Sequence, residues 1–166
     1  MFIRTATARD IPAIRTLLVE TWHDAYDAIY GAEKVTAVTD EWHSIRSLTA
    51  RLNQPRSEFL VADDGQQLGG MAYAEADETG QTVNLRQLYV RPGQQGRGIG
   101  GLLMDEVEDS FPEARRFTLE VEQANAKAVR FYQLRGFVDD GSSQGTCARS
   151  GISKTARAMV LVRGAG

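Results

Sequence analysis

The stretch LRQLYVRPGQQGRGIGGLLMDEVE, Leu85 to Glu108, decides the fold of this chain. It reads as an apolar strand, a glycine-rich turn and an amphipathic helix. The helical period buries Ile99, Leu102, Leu103 and Val107 and turns Asp105, Glu106, Glu108 and Asp109 outward. Gly96, Gly98 and Gly100 leave backbone N–H groups uncovered where the helix starts. Such amides, with the helix dipole behind them, bind phosphate. A second block, NAKAVRFYQLRGF from Asn125 to Phe137, completes the pattern. It is a short helix capped by Asn125, with Ala128, Phe131, Tyr132 and Arg135 along one side and Gly136 at its end. The two blocks predict a site for a phosphorylated cofactor.

Working outward, Phe2 to Thr5 reads as a short strand. Asp10 offers an N-cap, Pro12 sits in a first helical turn, and Ile11, Ile14, Leu18 and Trp22 recur on one face. A second helix is expected over about Asp40 to Asn53, with Trp42, Ile45 and Leu48 or Leu52 inward and Pro55 as its stop. The aromatic run between them, WHDAYDAIYGAEKV, reads as less regular. From Glu58 the period becomes two. FLVAD, LGGMAYAEA and VNLRQLYV, with turns at Asp64-Gly65 and near Asp77 to Gly80, form an antiparallel meander. Phe117, Leu119 and Val121 alternate as a fifth strand. Gly141 to Gly151 reads as a loop or hairpin tip, and Ala156 to Val162 as a last strand. The order β-α-α-β-β-β-α-β-α-β-β makes an α/β chain around one mixed sheet, and residues 1–166 read as a single domain.

Two cofactors compete for the glycines. GRGIGG, Gly96 to Gly101, matches the dinucleotide pattern G-x-G-x-x-G, and Glu120 and Glu122 lie where a ribose-binding acid belongs. That turn follows its strand directly, however, whereas five residues separate Val90 from Gly96 here. The preceding strands are also hairpin-linked rather than built from βαβ units. A Walker-type loop lacks its Lys-Ser or Lys-Thr.

The alternative pattern is Gln95-x-x-Gly98-x-Gly100 after V-R-P-G. With LYVRPGQQGRGIG and LEVEQANAKAVRFYQLRGF in this order and spacing, the chain resembles the GCN5-related N-acetyltransferase (GNAT) family over nearly its whole length. The resemblance implies a single N-acetyltransferase domain, with a mixed, mostly antiparallel splayed sheet flanked by helices. It implies acetyl-CoA as cosubstrate and no metal. It also implies that Gln95, Gly96, Arg97, Gly98, Ile99 and Gly100 cradle the pyrophosphate, and that the backbone of Leu88, Tyr89 and Val90 pairs with the pantetheine arm. Arg97, Lys127 and Arg130 become partners for phosphates or plain surface charges. Asn125 gains a contact to the cofactor arm beside its capping role.

Acetyl transfer to an amine needs a neutral nitrogen, a polarised carbonyl and a proton for the leaving thiolate. Tyr132 stands at the family's tyrosine position; it is the expected acid, or else a core aromatic beside Phe131. Many members carry a glutamate in the fourth strand, but here that strand reads NLRQLYV, with Gln87 or a neighbour in its place. Glu120 in LEVE is the candidate base, in a context resembling bacterial ribosomal-protein alanine N-acetyltransferases; the other reading is an ordinary exposed strand residue. Glu75, His23 and His43 stand in reserve. Trp22, Tyr26 and Tyr30, with His23 and Trp42, are aromatics with polar tips, suited to an acceptor pocket or to helix packing. The implied reaction moves acetyl directly to a primary amine, on a small molecule or a peptide N-terminus. A non-catalytic acyl-CoA-binding sensor is the alternative, favoured by the missing fourth-strand glutamate and opposed by Tyr132.

Composition bounds the rest. The 166 residues are 42% hydrophobic and 25% charged, with net charge −3, which exerts no general pull on nucleic acid or an anionic membrane. Cys147 is the only cysteine, so no intrachain disulfide or Cys-based metal site is expected. The N-terminus shows neither a signal peptide nor a membrane span. A cytoplasmic protein binding acetyl-CoA and an amine is the expectation, and a homodimer stays open.

Overall fold

The computed structural model describes residues 1–147 and 152–164. Among these, seven strands form one sheet: β1 (Phe2–Thr5), β2 (Ser57–Asp63), β3 (Leu68–Ala76), β4 (Thr82–Val90), β5 (Arg116–Glu122), β6 (Val138–Cys147) and β7 (Ile152–Val162). Their order is β1-β2-β3-β4-β5-β7-β6. Neighbours run antiparallel except β4 and β5, which are parallel. The helices are α1 (Ile11–Tyr30), α2 (Ala32–Trp42), α3 (Ile45–Arg51), α4 (Ile99–Ser110) and α5 (Ala126–Leu134). The expected α/β class, the β2-β3-β4 meander and the mixed, mostly antiparallel sheet are all present.

Alternation along the strands sorts the core onto two faces. Leu60, Ala62, Ala72, Ala74, Val83 and Leu85 pack with Leu103, Met104 and Val107 of α4 and with Val129 and Tyr132 of α5. Phe59, Val61, Met71 and Tyr73 pack on the other face, with Leu17 and Leu18 of α1 and Leu48 of α3. In β4 the alternation slips. Tyr73 opposes Gln87, but Ala74 opposes Leu85, so Arg86 is an extra residue, a β-bulge. Before it the odd positions Val83 and Leu85 join the α4 face; after it the even positions Leu88 and Val90 do, and Tyr89 turns to the α1 face. The bulge falls where β4 leaves β5. Their pairing runs from Thr82 with Arg116 to Leu85 with Leu119.

Several expectations are corrected. The aromatic run is helical, because α1 continues for 20 residues through Tyr30 before Gly31, at φ +89°, breaks it. The helix expected over about Asp40 to Asn53 is two helices, broken at His43 and Ser44. Ser44 caps α3 by accepting the Ser47 N–H at 3.1 Å. Ile45, expected inward, is exposed. Leu102 is exposed too, and Met104 fills its place in the core. Asp10 turns its carboxylate back to the Thr7 N–H at 2.8 Å and to Arg4. Of the stretch Gly141 to Gly151, expected as a loop or hairpin tip, residues to Cys147 are strand backbone paired antiparallel with β7, and residues 148–151 lie outside the described ones.

The helix that follows the glycines lies very close to the sheet. A Cβ on Gly70 of β3 would stand 2.8 Å from the Tyr89 carbonyl oxygen and 3.0 Å from Leu103 Cδ1. Gly70→Val is expected to lower stability by roughly 1–3 kcal/mol, the usual cost of forcing atoms into a filled interior. Urea unfolding followed by tryptophan fluorescence measures it. An unchanged midpoint would mean that α4 lifts from β3 without cost.

Candidate active site

Beyond Leu85 the edge of β4 and the facing edge of β5 no longer satisfy each other, and a cleft of about 950 Å³ opens there. Its walls come from α1, α2, β4, the glycine loop, the start of α4, the end of β5 and the start of α5. Nearly every residue expected at the site lies on these walls. Leu88, Tyr89 and Val90 form the floor, and Gln95, Gly96, Gly98, Ile99 and Gly100 one end. Asn125, Lys127, Tyr132 and Glu120 come from the β5–α5 side, and Trp22, Tyr26 and Tyr30 from α1. Arg97 and Arg130 are exposed and are not on the walls.

The loop has the form that anion binding requires. Gly96 and Gly98 both take φ +82°, a left-handed conformation costly for any residue with a Cβ. Gly98 is the N-cap of α4, and the first intrahelical bond runs from Leu102 N–H to the Gly98 carbonyl at 3.0 Å. The amides of Ile99, Gly100 and Gly101 therefore precede any intrahelical partner. Gly100 serves packing as well: a Cβ there would lie 3.3 Å from Phe131 Cε1 of α5. Gln95 donates its side-chain amide to the Val90 carbonyl at 3.2 Å, tying the loop to the end of β4. These uncovered amides and the open β4 edge fit a long phosphorylated cofactor.

Asn125 caps α5 by accepting the Ala128 N–H at 3.3 Å, and its amide donates to the Tyr26 hydroxyl at 3.4 Å. About two turns on, Tyr132 is buried between Phe131 and Phe137, with ring centroids 5.2 and 5.6 Å away. Burial pushes its phenol pKa well up, with Tyr26 adding to the shift, so the group remains a proton donor at neutral pH. Glu120 is exposed, opposite in facing to buried Phe117, Leu119 and Val121. Trp22 belongs both to the cleft wall and to the helix core, packing with Val35 and Val38.

The reserve bases are otherwise engaged. Glu75 accepts the Tyr73 hydroxyl at 2.5 Å, faces Arg86 at 3.5 Å and is not on the cleft wall. His23 pairs with Asp27 at 2.6 Å and is not on the wall either. His43 is on the wall, but a polar chain fixes its role. Arg51 donates to Gln87 Oε1 at 2.7 Å, so the Gln87 amide nitrogen must face His43 Nδ1, 3.2 Å away. Nδ1 then accepts, and the proton resides on Nε2. Burial, with Arg51 and Arg15 nearby, lowers the His43 pKa to about 3. The imidazole is neutral and its one basic nitrogen is occupied. Gln87 is thus a buried structural amide.

Glu122 has a place here that the motif reading did not find. It is 9% exposed, lies on the cleft wall and accepts the Tyr30 hydroxyl at 2.6 Å. The available signal was its spacing: residues two apart on a strand share a face, so Glu122 follows Glu120. Among the described residues, no group of three or more His, Cys, Asp or Glu side chains is placed to hold a metal ion. No helix among them is long and apolar enough to cross a membrane.

Comparison with known proteins agrees with this geometry. The family model described as Acetyltransferase (GNAT) domain matches residues 26–159. The peptidyl-lysine N-acetyltransferase YiaC of Escherichia coli (strain K12) is 30% identical over 138 residues, covering 81% of this chain and 82% of that protein. In fold, the chain matches the PaiA N-acetyltransferase of Thermoplasma acidophilum, solved in complex with coenzyme A. The TM-score is 0.86 at 21% identity, with 98% of each chain covered. It also matches the ribosomal-protein-S18-alanine N-acetyltransferase of Escherichia coli, with a TM-score of 0.70 at 19% identity, covering 99% of this chain and 96% of that one. The chain belongs to the GNAT family of acetyl-CoA-dependent N-acetyltransferases.

Gly98 gives the cleanest test of the loop. No atom stands within 4 Å of a Cβ built there, so a side chain disturbs no packing. Gly98→Val would fill the open space before the amides and strain the left-handed backbone. Acetyl-CoA affinity by calorimetry is expected to fall at least tenfold in the folded variant. Undiminished affinity would place the phosphates elsewhere.

Proposed function

We propose that residues 1–166 act as one domain that transfers the acetyl group of acetyl-CoA directly to a primary amine. The amine belongs to a small molecule or a peptide; the lysine specificity named for the Escherichia coli relative falls within this class. One observation carries the reading. A single cleft joins the uncovered loop amides, the open edge of β4, a protonated buried phenol and the carboxylate of Glu120. Gln95 to Gly100 hold the pyrophosphate, with Arg97, Lys127 and Arg130 as its charged surroundings. Leu88, Tyr89 and Val90 take the pantetheine arm as an added strand would lie, and Asn125 flanks it.

When bound, acetyl-CoA supplies an activated carbonyl carbon with a thiolate as leaving group. Glu120 removes a proton from the acceptor ammonium, through water or directly, and frees the nitrogen lone pair. The nitrogen–carbon bond forms as the carbon–sulfur bond breaks; Tyr132 gives its proton to the sulfur, and the acylated nitrogen releases its surplus proton through water, which restores the phenol. Trp22, Tyr26 and Tyr30 shape the acceptor end and limit water there. The sensor reading rests on Gln87 in place of a glutamate. It would give tight acetyl-CoA binding with no CoA release over a panel of amines.

Two variants test the assignment. Tyr132→Phe keeps the ring and removes the proton, so kcat is expected to fall on the order of 10²–10⁴-fold with acetyl-CoA affinity nearly constant. Near-normal turnover under chemistry-limited conditions would reduce Tyr132 to packing. Glu120→Gln is expected to slow transfer most at low pH, where the amine is protonated. A pH–rate profile that keeps its acidic limb and its height would move the base to another residue.

A further inference from the structure

The acceptor wall carries a charge for which the transfer step has no use. Glu122 ends β5, and its side chain is nine-tenths buried on the cleft wall. Oε2 accepts the Tyr30 hydroxyl at 2.6 Å, and Oε1 the Ala124 N–H at 3.3 Å. Both donors are neutral. Among the described residues no cation pairs with Glu122. A buried carboxylate without a counter-charge is unfavourable, and a phenol and one amide offset only part of the lost hydration. The two oxygens offer about four acceptor positions, of which two are filled.

The surroundings narrow what would complete the pair. Asp24 of α1 lies on the same cleft and, among the described residues, has no partner. Of the cations on the walls, Arg86 is held by Glu75 at 3.5 Å and Lys127 belongs to the first turn of α5. The acceptor end is therefore acidic. It is also aromatic. Tyr30 and Tyr26 have ring centroids 5.9 Å apart, and Tyr26 and Trp22 4.7 Å. Aromatic faces beside a carboxylate recognise an alkylammonium group.

We infer that the acceptor carries a second positive charge besides its reacting nitrogen, and that Glu122, positioned by Tyr30, holds that second charge. The inference rests on reading the cleft as an amine-acceptor site. The partner of Glu122 is not the reacting nitrogen. That nitrogen gives its proton to Glu120 in the proposed transfer and is neutral when it attacks, so it offers Glu122 no lasting charge. A cation at the far end of the acceptor keeps its charge throughout. Glu120 and Glu122 share a strand face two residues apart, roughly 6–7 Å, so the acceptor class is a short diamine or a basic chain of similar reach.

The test compares ligands of one length. Putrescine carries two ammonium groups, n-butylamine one, and γ-aminobutyrate an ammonium and a carboxylate. Calorimetry on the CoA-saturated and the CoA-free protein is expected to show putrescine binding at least tenfold more tightly than n-butylamine, and γ-aminobutyrate most weakly. Glu122→Gln is expected to erase the gap between putrescine and n-butylamine while leaving n-butylamine and acetyl-CoA affinities unchanged. Equal binding of the three ligands to the wild type overturns the proposal. So does a retained putrescine preference in a Glu122→Gln variant with wild-type melting temperature. If that variant does not fold, the ligand order on the wild type decides alone. CoA release separates the two readings: putrescine bound but never acetylated refutes transfer only, whereas acetylation of n-butylamine as efficient as that of putrescine refutes the second-charge site only.

Discussion

One extra residue in β4 governs the rest of this molecule. Arg86 has no opposite number in β3, and the strand bends there. Two effects follow from the same insertion. The facing of every later residue is reversed, so Gln87 and Tyr89 meet α1 and α3 while Leu88 and Val90 meet α4. The edge toward β5 is also left unpaired beyond Leu85. Unpaired strand edges in an interior are normally a liability. Here the gap is bordered by loop amides, a phenol and carboxylates, all suited to a polar molecule threaded between the strands.

The polar groups around the gap fall into two kinds. Arg51, Gln87 and His43 form a buried chain that fixes one imidazole tautomer and leaves His43 Nε2 without a hydrogen-bond partner. It supports the floor from behind, and its charge is on Arg51, which also donates to the Trp42 carbonyl at 2.8 Å. Glu122, Tyr30, Tyr26 and Asn125 form an open set whose carboxylate faces the cleft with spare acceptor positions. The first kind resists change on binding. The second is where a ligand can add bonds without breaking any.

Much of this was legible in the sequence, for identifiable reasons. The loop could be read because Gly96, Gly98 and Gly100 serve backbone geometry, and backbone geometry is local. The meander could be read from a period of two and from its turn residues. The split between α2 and α3 could not, because Trp42, Ile45 and Leu48 keep an apolar rhythm across a break made by the Ser44 cap. The regularity of α1 through Tyr30 was obscured because aromatic and acidic residues share its cleft-facing side, which blurs the amphipathic period. Arg86 as a bulge has no signature of its own, since the insertion is visible only against β3. Glu122 was visible by spacing, but its burial comes from Tyr30, 92 positions away in the chain.

The contact between Gly100 and Phe131 has a consequence for how the two ligands sense each other. Helix α4 presents bare backbone to the ring, leaving less than a methyl group of clearance. The neighbouring residue on α5 is Tyr132. A phosphate settling on the first turn of α4 would press, through one aromatic ring, on the helix that carries the phenol. Ligand occupancy at the loop and the precise seat of the Tyr132 phenol would then be linked quantities. Linkage of that kind is reciprocal: by whatever factor the cofactor alters affinity for the amine, the amine alters affinity for the cofactor. Coupling through that ring would make the cleft one cooperative unit rather than two pockets that happen to meet.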